Sequence, residues 1–351
     1  NAQVLPPLLR RLEEAGIRRG DITILIATGL HRPNSQEEIR RIVGPEVAAA
    51  YRVVNHDARN RDSHRYLGET RSGTPVFIDE RFVAADLHIT LGFIEPHLML
   101  GFSGGRKLVV PGLAAQETIK VLHSPRFMRD ARTHEGFIDG NPLHEELLEI
   151  AGMARHHFIV DVALSRQRQI AGVFAGDPVQ AHRQGVAFVS RVMLETIEKP
   201  VDAVITTSAG YPLDLTYYQS IKGVTAAQHV LRNGGRILLI AACEEGPGAP
   251  EFRRMLKEFP SAEGFLAAIE NASVIVDQWQ LEKLALVHRK AGILYYVPGL
   301  PADYYPTLWG PAYGNVSEAL AALTSGLKPG ASIAVIPEGP YVLAKTVTGE
   351  A

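Results

Sequence analysis

The segment EPHLMLGFSGGRKLVVPGLAAQETIKVLH, from Glu95 to His123, places a glycine-rich loop between two regular elements. A mainly apolar, strand-like run, Asp86 to Ile94, leads into it. Three glycines in the loop allow tight turns and a close approach of the backbone to a ligand. A helix-like stretch begins near Ala115 and carries His123 in its last turn. A strand, a glycine loop and a helix in this order indicate an α/β fold.

The part of this loop from Ser103 to Lys107 has the features of an anion site. Ser103 precedes two glycines, so several backbone N–H groups are unshielded, and the basic pair Arg106 and Lys107 follows. Such groups bind phosphate. The match to a Walker A motif is poor, because the glycine before Lys107 is replaced by Arg106 and the following Ser/Thr by Leu108. We therefore expect a phosphate-bearing ligand here and disfavour a nucleoside triphosphatase.

Composition bounds the class of protein. A chain of 351 residues suggests about two domains, and 46% hydrophobic with 21% charged residues is ordinary for a soluble globular protein. The formal net charge of −2 offers no basic surface for nucleic acid. Cys243 is the only cysteine, which excludes a disulfide framework and suits a reducing cytoplasm. No apolar run approaches the ~20 residues of a membrane span.

The hydrophobic pattern alternates strands with helices. Nearly continuous apolar runs are typical of strands that are covered on both faces in a parallel sheet, and Ser35 with Glu38 forms a capping box. The predicted strands are 21–28, 74–78, 86–94, 158–164, 167–174, 202–207, 236–242, 273–276, 292–297 and 332–337. The predicted helices are 5–14, 36–43, 115–123, 142–154, 179–197, 219–232, 251–259, 280–289 and 316–325. This pattern predicts two doubly wound α/β domains, 1–199 and 200–351, with a cofactor and substrate cleft between them.

Three of the thirteen histidines lie where functional groups are usually placed. His31 and His97 each follow a predicted strand, and ligands bind at the carboxyl ends of strands in open α/β sheets. His123 ends a helix, and all three lie near glycine or proline. His88 lies in an apolar strand and is interpreted as a core histidine. We interpret the remaining ones as structural or surface residues: His56, His64, His134, His144, His156, His157, His182, His229 and His288.

These motifs together resemble the nickel-dependent lactate racemase family. The similar features are T-G-x-H-R-P from Thr28 to Pro33, E-P-H-x-x-x-G-x-S-G-G-x-K from Glu95 to Lys107, the pair Pro111 and Gly112, and the later His123. The resemblance covers nearly the whole chain. It implies a racemase or epimerase of a 2-hydroxy acid, lactate or a relative, that carries nickel in a pincer cofactor, pyridinium-3,5-bisthiocarboxylic acid mononucleotide. It also implies, as partners, proteins that make this cofactor and insert the nickel.

The resemblance assigns roles residue by residue. Lys107 matches a lysine that bonds covalently to the cofactor, and His123 matches a nickel ligand. His31 and His97 match the catalytic acid and base. The expected cofactor-binding set is Lys107, Ser103, Gly104, Gly105, Arg106 and Trp279, and the expected substrate-binding set is Tyr218, Gln219 and Lys222.

The chemistry of racemisation explains why a hydride-accepting cofactor and two histidines would be needed. The Cα–H of a 2-hydroxy acid is a very weak acid, whereas loss of hydride leaves a stable keto acid that can receive hydride on either face. Protein side chains do not accept hydride, so a cofactor must do so. The two enantiomers present their hydroxyls on different sides, and two bases near neutral pKa, such as His31 and His97, meet that demand. Nickel binds imidazole alongside soft sulfur, and Lys222 would hold the carboxylate.

Two other interpretations stay open at this stage. The same loop would suit a phosphate-binding transferase or a metallohydrolase, and it would also suit a non-catalytic carrier of a phosphorylated cofactor. The chain also departs from the family, whose members carry an acidic residue and a substrate-binding arginine upstream of T-G-x-H-R. Nothing before Asp21 supplies this motif, and we expect it in a segment that precedes Asn1.

Overall fold

A computed structural model describes residues 1–347 of the chain. The chain forms two compact units, each made of several segments. Unit 1 comprises residues 1–95, 103–122 and 143–189, and unit 2 comprises residues 96–102, 123–142 and those from Ser190 onward. This division differs from a single boundary at 199/200, because two short segments from the N-terminal half belong to unit 2.

The helices span the following residues in chain order: α1 Leu5–Glu14, α2 Gln36–Val43, α3 Pro45–Ala50, α4 Glu80–Val83, α5 Gln116–Leu122, α6 Pro125–Met128, α7 Pro142–Met153, α8 Pro178–Met193, α9 Tyr217–Ala227, α10 Pro250–Glu258, α11 Ala262–Ala268, α12 Gln278–His288 and α13 Val316–Ser325. The strands span these residues: β1 Thr23–Ile26, β2 Arg52–Asn55, β3 His64–Glu69, β4 Pro75–Asp79, β5 Ile89–Phe93, β6 Pro96–His97, β7 Gly101–Phe102, β8 Phe158–Leu164, β9 Ile170–Gly176, β10 Leu194–Ile197, β11 Val201–Thr207, β12 Leu231–Ile240, β13 Ala291–Tyr296, β14 Ile333–Ile336 and β15 Leu343–Thr346.

The central sheet of unit 2 is parallel and is covered on both faces. Its strands lie in the order β13-β12-β11-β14. One cluster of buried residues includes Ile237 of β12 and side chains of α9 to α12. A second cluster includes Leu238, the next residue of the same strand, with Leu323 of α13. Because consecutive strand residues point to opposite faces, these clusters lie on the two sides of the sheet, as expected for a doubly wound domain.

Unit 1 contains several smaller sheets. Strands β1 and β2 pair in parallel, and β5 pairs in parallel with β8, which also pairs antiparallel with β9. Strands β3 and β4 form an antiparallel pair. Helix α2 begins at the predicted capping box, in which the Glu38 N–H donates to Ser35 Oγ at 3.2 Å and the Ser35 N–H donates to the Glu38 carboxylate at 2.8 Å. The structure therefore confirms a mixed α/β chain with two units and parallel sheets.

Two predicted elements were wrong. The helix predicted over 179–197 ends at Met193, because residues 194–197 form β10 and pair in parallel with β15, far along the chain. The strand predicted over 273–276 is absent from the described residues, where the Ile275 N–H donates to Gln278 Oε1 at 2.8 Å and the segment turns into α12. Within residues 1–347, no helix combines the length and apolar character that crossing a bilayer requires.

Candidate active site

The glycine loop of unit 1 closes around the buried carboxylate of Asp161. This residue lies on β8 and is 0% exposed, and its Oδ2 accepts the N–H of Gly105 at 2.6 Å. Burial raises the pKa of Asp161 to about 6, although backbone N–H groups of Gly105 and Gly92 oppose that shift. A Cβ at Gly104 would lie 2.5 Å from Asp161 Oδ2, and Gly104 has a φ of +78°. Glycine at position 104 is thus required both by the backbone and by the neighbouring carboxylate.

Arg106 points into the loop's interior. Only 1% of the residue is exposed, and its Nη1 donates to Gly104 O at 3.3 Å and lies 2.9 Å from His182 Nε2. The same His182 nitrogen lies 2.8 Å from Ser103 O. Burial lowers the pKa of Arg106 to about 9 and that of His182 to about 3, so His182 is neutral near pH 7. One nitrogen cannot both accept from Arg106 and donate to Ser103 in a single tautomer, so the ring serves one of these partners at a time.

The groups predicted to bind phosphate take part in the loop's own hydrogen bonds. Ser103 Oγ donates to Phe93 O at 2.8 Å and accepts the Glu95 N–H at 3.0 Å. The Ser103 N–H donates to Glu95 O at 2.9 Å. In this conformation the serine, the Gly105 N–H and the Arg106 guanidinium hold the loop together, and their contact with a phosphate stays a prediction.

The loops that carry His31 and Lys107 are joined within unit 1. Lys107 lies in a short 3-10 helix, and its carbonyl accepts the N–H of Gly112 at 3.2 Å. The carbonyl of Gly112 in turn accepts the N–H of Gly29 at 3.0 Å, two residues before His31. His31 is exposed, and Lys107 is partly buried. These backbone bonds fix the T-G-x-H loop against the loop of the predicted cofactor lysine.

His97 lies in unit 2, on the two-residue strand β6, which pairs antiparallel with β7. The connecting turn aims the N–H groups of Met99 and Leu100 at His97 Nδ1, each at 3.3 Å. Because Nδ1 accepts in these contacts, the neutral ring carries its proton on Nε2. His97 is therefore arranged to present an N–H donor at Nε2.

Unit 2 brings the predicted nickel ligand, the predicted aromatic residue and the predicted substrate segment together. The rings of His123 and Trp279 have centroids 4.3 Å apart at an angle of 42°. Trp279 is 6% exposed, and its Nε1 donates to the Tyr218 hydroxyl at 3.2 Å. Gln280 Nε2 donates to Tyr218 O at 3.0 Å, which ties α12 to α9. Burial raises the pKa of Tyr218 well above its ordinary value, so this phenol stays protonated.

Helix α9 continues this cluster with Gln219 and Lys222. The Gln219 N–H donates to Thr216 Oγ1 at 3.3 Å, which caps the helix. Residues three apart lie on the same helical face, so Gln219 and Lys222 point in a similar direction. Gln219 Oε1 is buried and accepts no hydrogen bond from residues 1–347. A buried acceptor without a donor costs ~1–3 kcal/mol, and a ligand hydroxyl would satisfy it.

Six of the histidines interpreted as structural or surface residues lie in three pairs. In unit 1, His56 Nε2 and His64 Nε2 are 2.9 Å apart, and the rings of His144 and His182 are stacked with centroids 6.3 Å apart. In unit 2, His134 and His229 have centroids 5.1 Å apart beside Glu135. In the last two of these pairs the partners are distant in sequence, so no local motif indicates them.

The glycine loop gives a first test of these contacts. We expect Gly104→Ala to destabilise the protein, since a methyl group would meet the Asp161 carboxylate at a positive φ. Gly73→Ala is the matched control, because Gly73 has a φ of +85° with nothing within 4 Å of the added Cβ. The control should lose about 1–2 kcal/mol from backbone strain, and Gly104→Ala about 1–3 kcal/mol more from overpacking. Urea unfolding measures both, and equal losses would show that the carboxylate contact is not restrictive.

Comparisons with known proteins agree with this arrangement. The lactate racemase N-terminal domain model matches residues 1–136, and the lactate racemase C-terminal domain model matches residues 196–344. A lactate racemase of Thermoanaerobacterium thermosaccharolyticum is 32% identical over 344 residues, covering 97% of this chain and 80% of the relative. A lactate racemase of Lactiplantibacillus plantarum is 32% identical over 346 residues, covering 97% of this chain and 81% of the relative.

Solved structures give the same result. The lactate racemase apoprotein from Thermoanaerobacterium thermosaccharolyticum superposes with a TM-score of 0.93 at 32% identity, over 98% of this chain and 83% of that one. A protein of Thermotoga maritima shares the fold, with a TM-score of 0.74 at 16% identity, over 98% of this chain and 90% of that one. Both family models match this chain, and two racemases are 32% identical to it over 97% of its length. The chain therefore belongs to the lactate racemase family of isomerases.

Proposed function

We propose that this protein interconverts the two enantiomers of a small 2-hydroxy acid, lactate or a close relative, by abstraction and return of a hydride. One observation carries the proposal. The two family models match segments that between them contain all the residues singled out for chemistry. These are His31, His97, Lys107 and His123 in the first segment, and Tyr218, Gln219, Lys222 and Trp279 in the second.

The cofactor we propose is the nickel pincer nucleotide. When bound, it supplies the hydride acceptor that protein side chains lack. Lys107 would hold it through its amine and His123 through an imidazole nitrogen, a ligand type that nickel accepts readily. The contact between His123 and Trp279 supports this fit, because an indole against the ligand ring limits how that ring can turn. The solved Thermoanaerobacterium relative is described as an apoprotein, the term for a protein without its cofactor.

The substrate contacts we propose come from helix α9. Gln219 Oε1 is a buried acceptor without a donor among residues 1–347, and the substrate hydroxyl is the donor that would satisfy it. Lys222 lies on the same face and carries a cation that would hold the carboxylate. The protonated phenol of Tyr218 accepts from Trp279 and so fixes the aromatic residue relative to these two.

His31 and His97 are the proton carriers in this proposal. Each would take the hydroxyl proton of one enantiomer as its hydride leaves, and would return a proton when the keto acid is reduced on that side. The proton on His97 Nε2 that follows from the Nδ1 contacts suits it to give a hydrogen bond to a keto oxygen. Partners that synthesise the cofactor and insert nickel belong to the same proposal.

The test uses enantiopure L-lactate and D-lactate with protein from cells that make the cofactor. The expected result is formation of the opposite enantiomer from either substrate until the two are equal, measured by chiral chromatography. Protein from cells without the cofactor pathway is the control and should be inactive. If neither lactate nor a panel of other 2-hydroxy acids is racemised by nickel-loaded protein, the proposed reaction is wrong.

A further inference from the structure

A second cluster of potential metal ligands lies in unit 2. It consists of His134 and Glu135, which precede α7, and His229, in the 3-10 turn after α9. One potential ligand atom from each residue lies within 4.8 Å of those of the other two. We propose that these three residues bind one divalent transition-metal ion of the zinc type. Two histidines and one glutamate form a familiar zinc ligand set that leaves a fourth position for water.

One pair of ligand atoms, from His229 and Glu135, is close to metal-binding separation. His229 Nε2 lies 2.9 Å from Glu135 Oε2, and its N–H donates to this carboxylate oxygen. Two ligands bound at about 2.0–2.2 Å to one tetrahedral zinc ion lie about 3.3–3.5 Å apart. For this pair of atoms, a shift of a few tenths of an ångström would let a metal ion replace that proton, and the His134 ligand atom lies within 4.8 Å of both. Such an exchange makes metal binding weaker at low pH.

Neighbouring groups orient the ligands as in known metal centres. His134 Nδ1 lies 2.9 Å from Glu135 O, which accepts its proton and leaves Nε2 as the metal-binding atom. Thr225 Oγ1 donates to Glu135 Oε1 at 2.6 Å and leaves Oε2 directed at His229. Metal-bound histidines usually donate their second N–H to a carbonyl, and metal-bound carboxylates are usually hydrogen-bonded as well.

The cluster combines one carboxylate with two imidazoles, and a buried ammonium lies near it. Burial would raise the pKa of Glu135. The hydrogen bond and charge of His229, with the hydrogen bond from Thr225, outweigh burial and lower that pKa to about 2. Burial, followed by repulsion from His229, lowers the pKa of His134. The buried ammonium of Lys283 opposes a dication near neutral pH and does so less in mildly alkaline solution, because burial lowers its pKa to about 8. Its Nζ donates to Met128 O and Thr133 O at 2.8 and 2.6 Å, and these two carbonyls hold it.

The proposed ion would join the segment 123–142 to the end of α9. Thr225, which supports Glu135, lies on α9, and its Oγ1 is 3.1 Å from the carbonyl oxygen of Lys222, so the site adjoins the helix that carries the predicted substrate residues. The role of such an ion is structural clamping within unit 2, separate from the nickel proposed at His123.

The test uses tag-free protein made without the cofactor pathway, treated with a chelator and equilibrated with zinc. The expected result is one tightly bound zinc ion per chain, a raised Tm, and tetrahedral d–d absorption when cobalt replaces zinc. His134→Ala and His229→Ala should each weaken zinc binding at least 100-fold. Thr225→Val, which removes only the supporting hydroxyl, should weaken it about 10–100-fold.

Two controls separate this site from others. His123→Ala and His157→Ala should keep zinc affinity and the cobalt spectrum, because neither residue belongs to the cluster. The Tm of each variant without metal shows whether it is folded. If wild-type protein binds no zinc, or if folded His134→Ala and His229→Ala bind it as wild type does, the proposal is overturned.

Discussion

Lys107→Ala is expected to abolish racemisation and to remove the covalent mass gain that wild-type protein should show when the cofactor pathway is present. The proposed linkage needs a primary amine, and no other residue of the 3-10 helix Gly105–Leu108 supplies one. A cofactor that is not tethered would be lost on purification. The loss should exceed that caused by replacing His31 or His97, because hydride transfer has no acceptor without the cofactor. Intact-protein mass spectrometry and the racemisation assay measure the two effects.

Two further variants make this result specific. Lys107→Arg keeps the positive charge but cannot form the same linkage, so it should fail as completely as the alanine variant. Lys120→Ala, on the adjacent helix α5, is the matched control and should keep both mass gain and activity. A mass gain that persists in Lys107→Ala would place the tether elsewhere, and activity in Lys107→Arg would mean that only charge is needed.

The sequence predicts the local elements around the candidate site residues better than it predicts the distant residues that contact them. The succession of strand, glycine loop and helix around Lys107 could be derived from local pattern, because glycine content and apolar periodicity are local signals. The partner of the loop could not. Asp161 lies 56 positions from Gly105 along the chain, and only pairing of β5 with β8 brings it there. The sequence also predicts Arg106 to be a ligand-binding cation. It is buried beside His182, which is also far from it along the chain, so local pattern could not indicate this contact.

The errors in the fold have a similar origin. Residues 194–197 continue an apparently helical pattern, but a parallel partner strand, β15, competes for their backbone groups. Tertiary pairing overrides local propensity in such cases. By contrast, helix α2 has a complete local signal, since its capping box and amphipathic face lie within the segment itself. The cluster of His134, Glu135 and His229 is also non-local, with a contact spanning 94 positions.

The two proposed proton carriers should differ in the enantiomer that depends on each of them. Replacing His31 or His97 is expected to slow racemisation by about 10²–10⁴, the usual cost of losing a general acid or base. In single turnover, one variant should chiefly slow oxidation of L-lactate and the other that of D-lactate. Rapid mixing with each enantiopure substrate, followed by detection of the keto acid, measures this.

Asparagine is the replacement at position 97 that best separates loss of proton transfer from loss of local structure. Its Oδ1 can occupy the place of Nδ1 and accept the N–H groups of Met99 and Leu100, so the turn between β6 and β7 is kept while Nε2 is lost. His31→Asn is the matched change on the exposed loop after β1. Both variants should retain cofactor mass and nickel, which separates loss of proton transfer from loss of the site.

The hydrogen bonds of His97 also bear on how His97→Asn should affect the two directions of the reaction. With its proton on Nε2, neutral His97 can give a hydrogen bond to a keto oxygen, whereas taking a hydroxyl proton at Nε2 first requires a tautomer change that breaks two backbone contacts. Oxidation of one enantiomer and reduction of the keto acid to that enantiomer pass through the same transition state, so His97→Asn should slow both directions by a similar factor for the enantiomer that His97 serves. Should both variants slow the two enantiomers equally, or lose nickel, one of these histidines positions the site without carrying the proton.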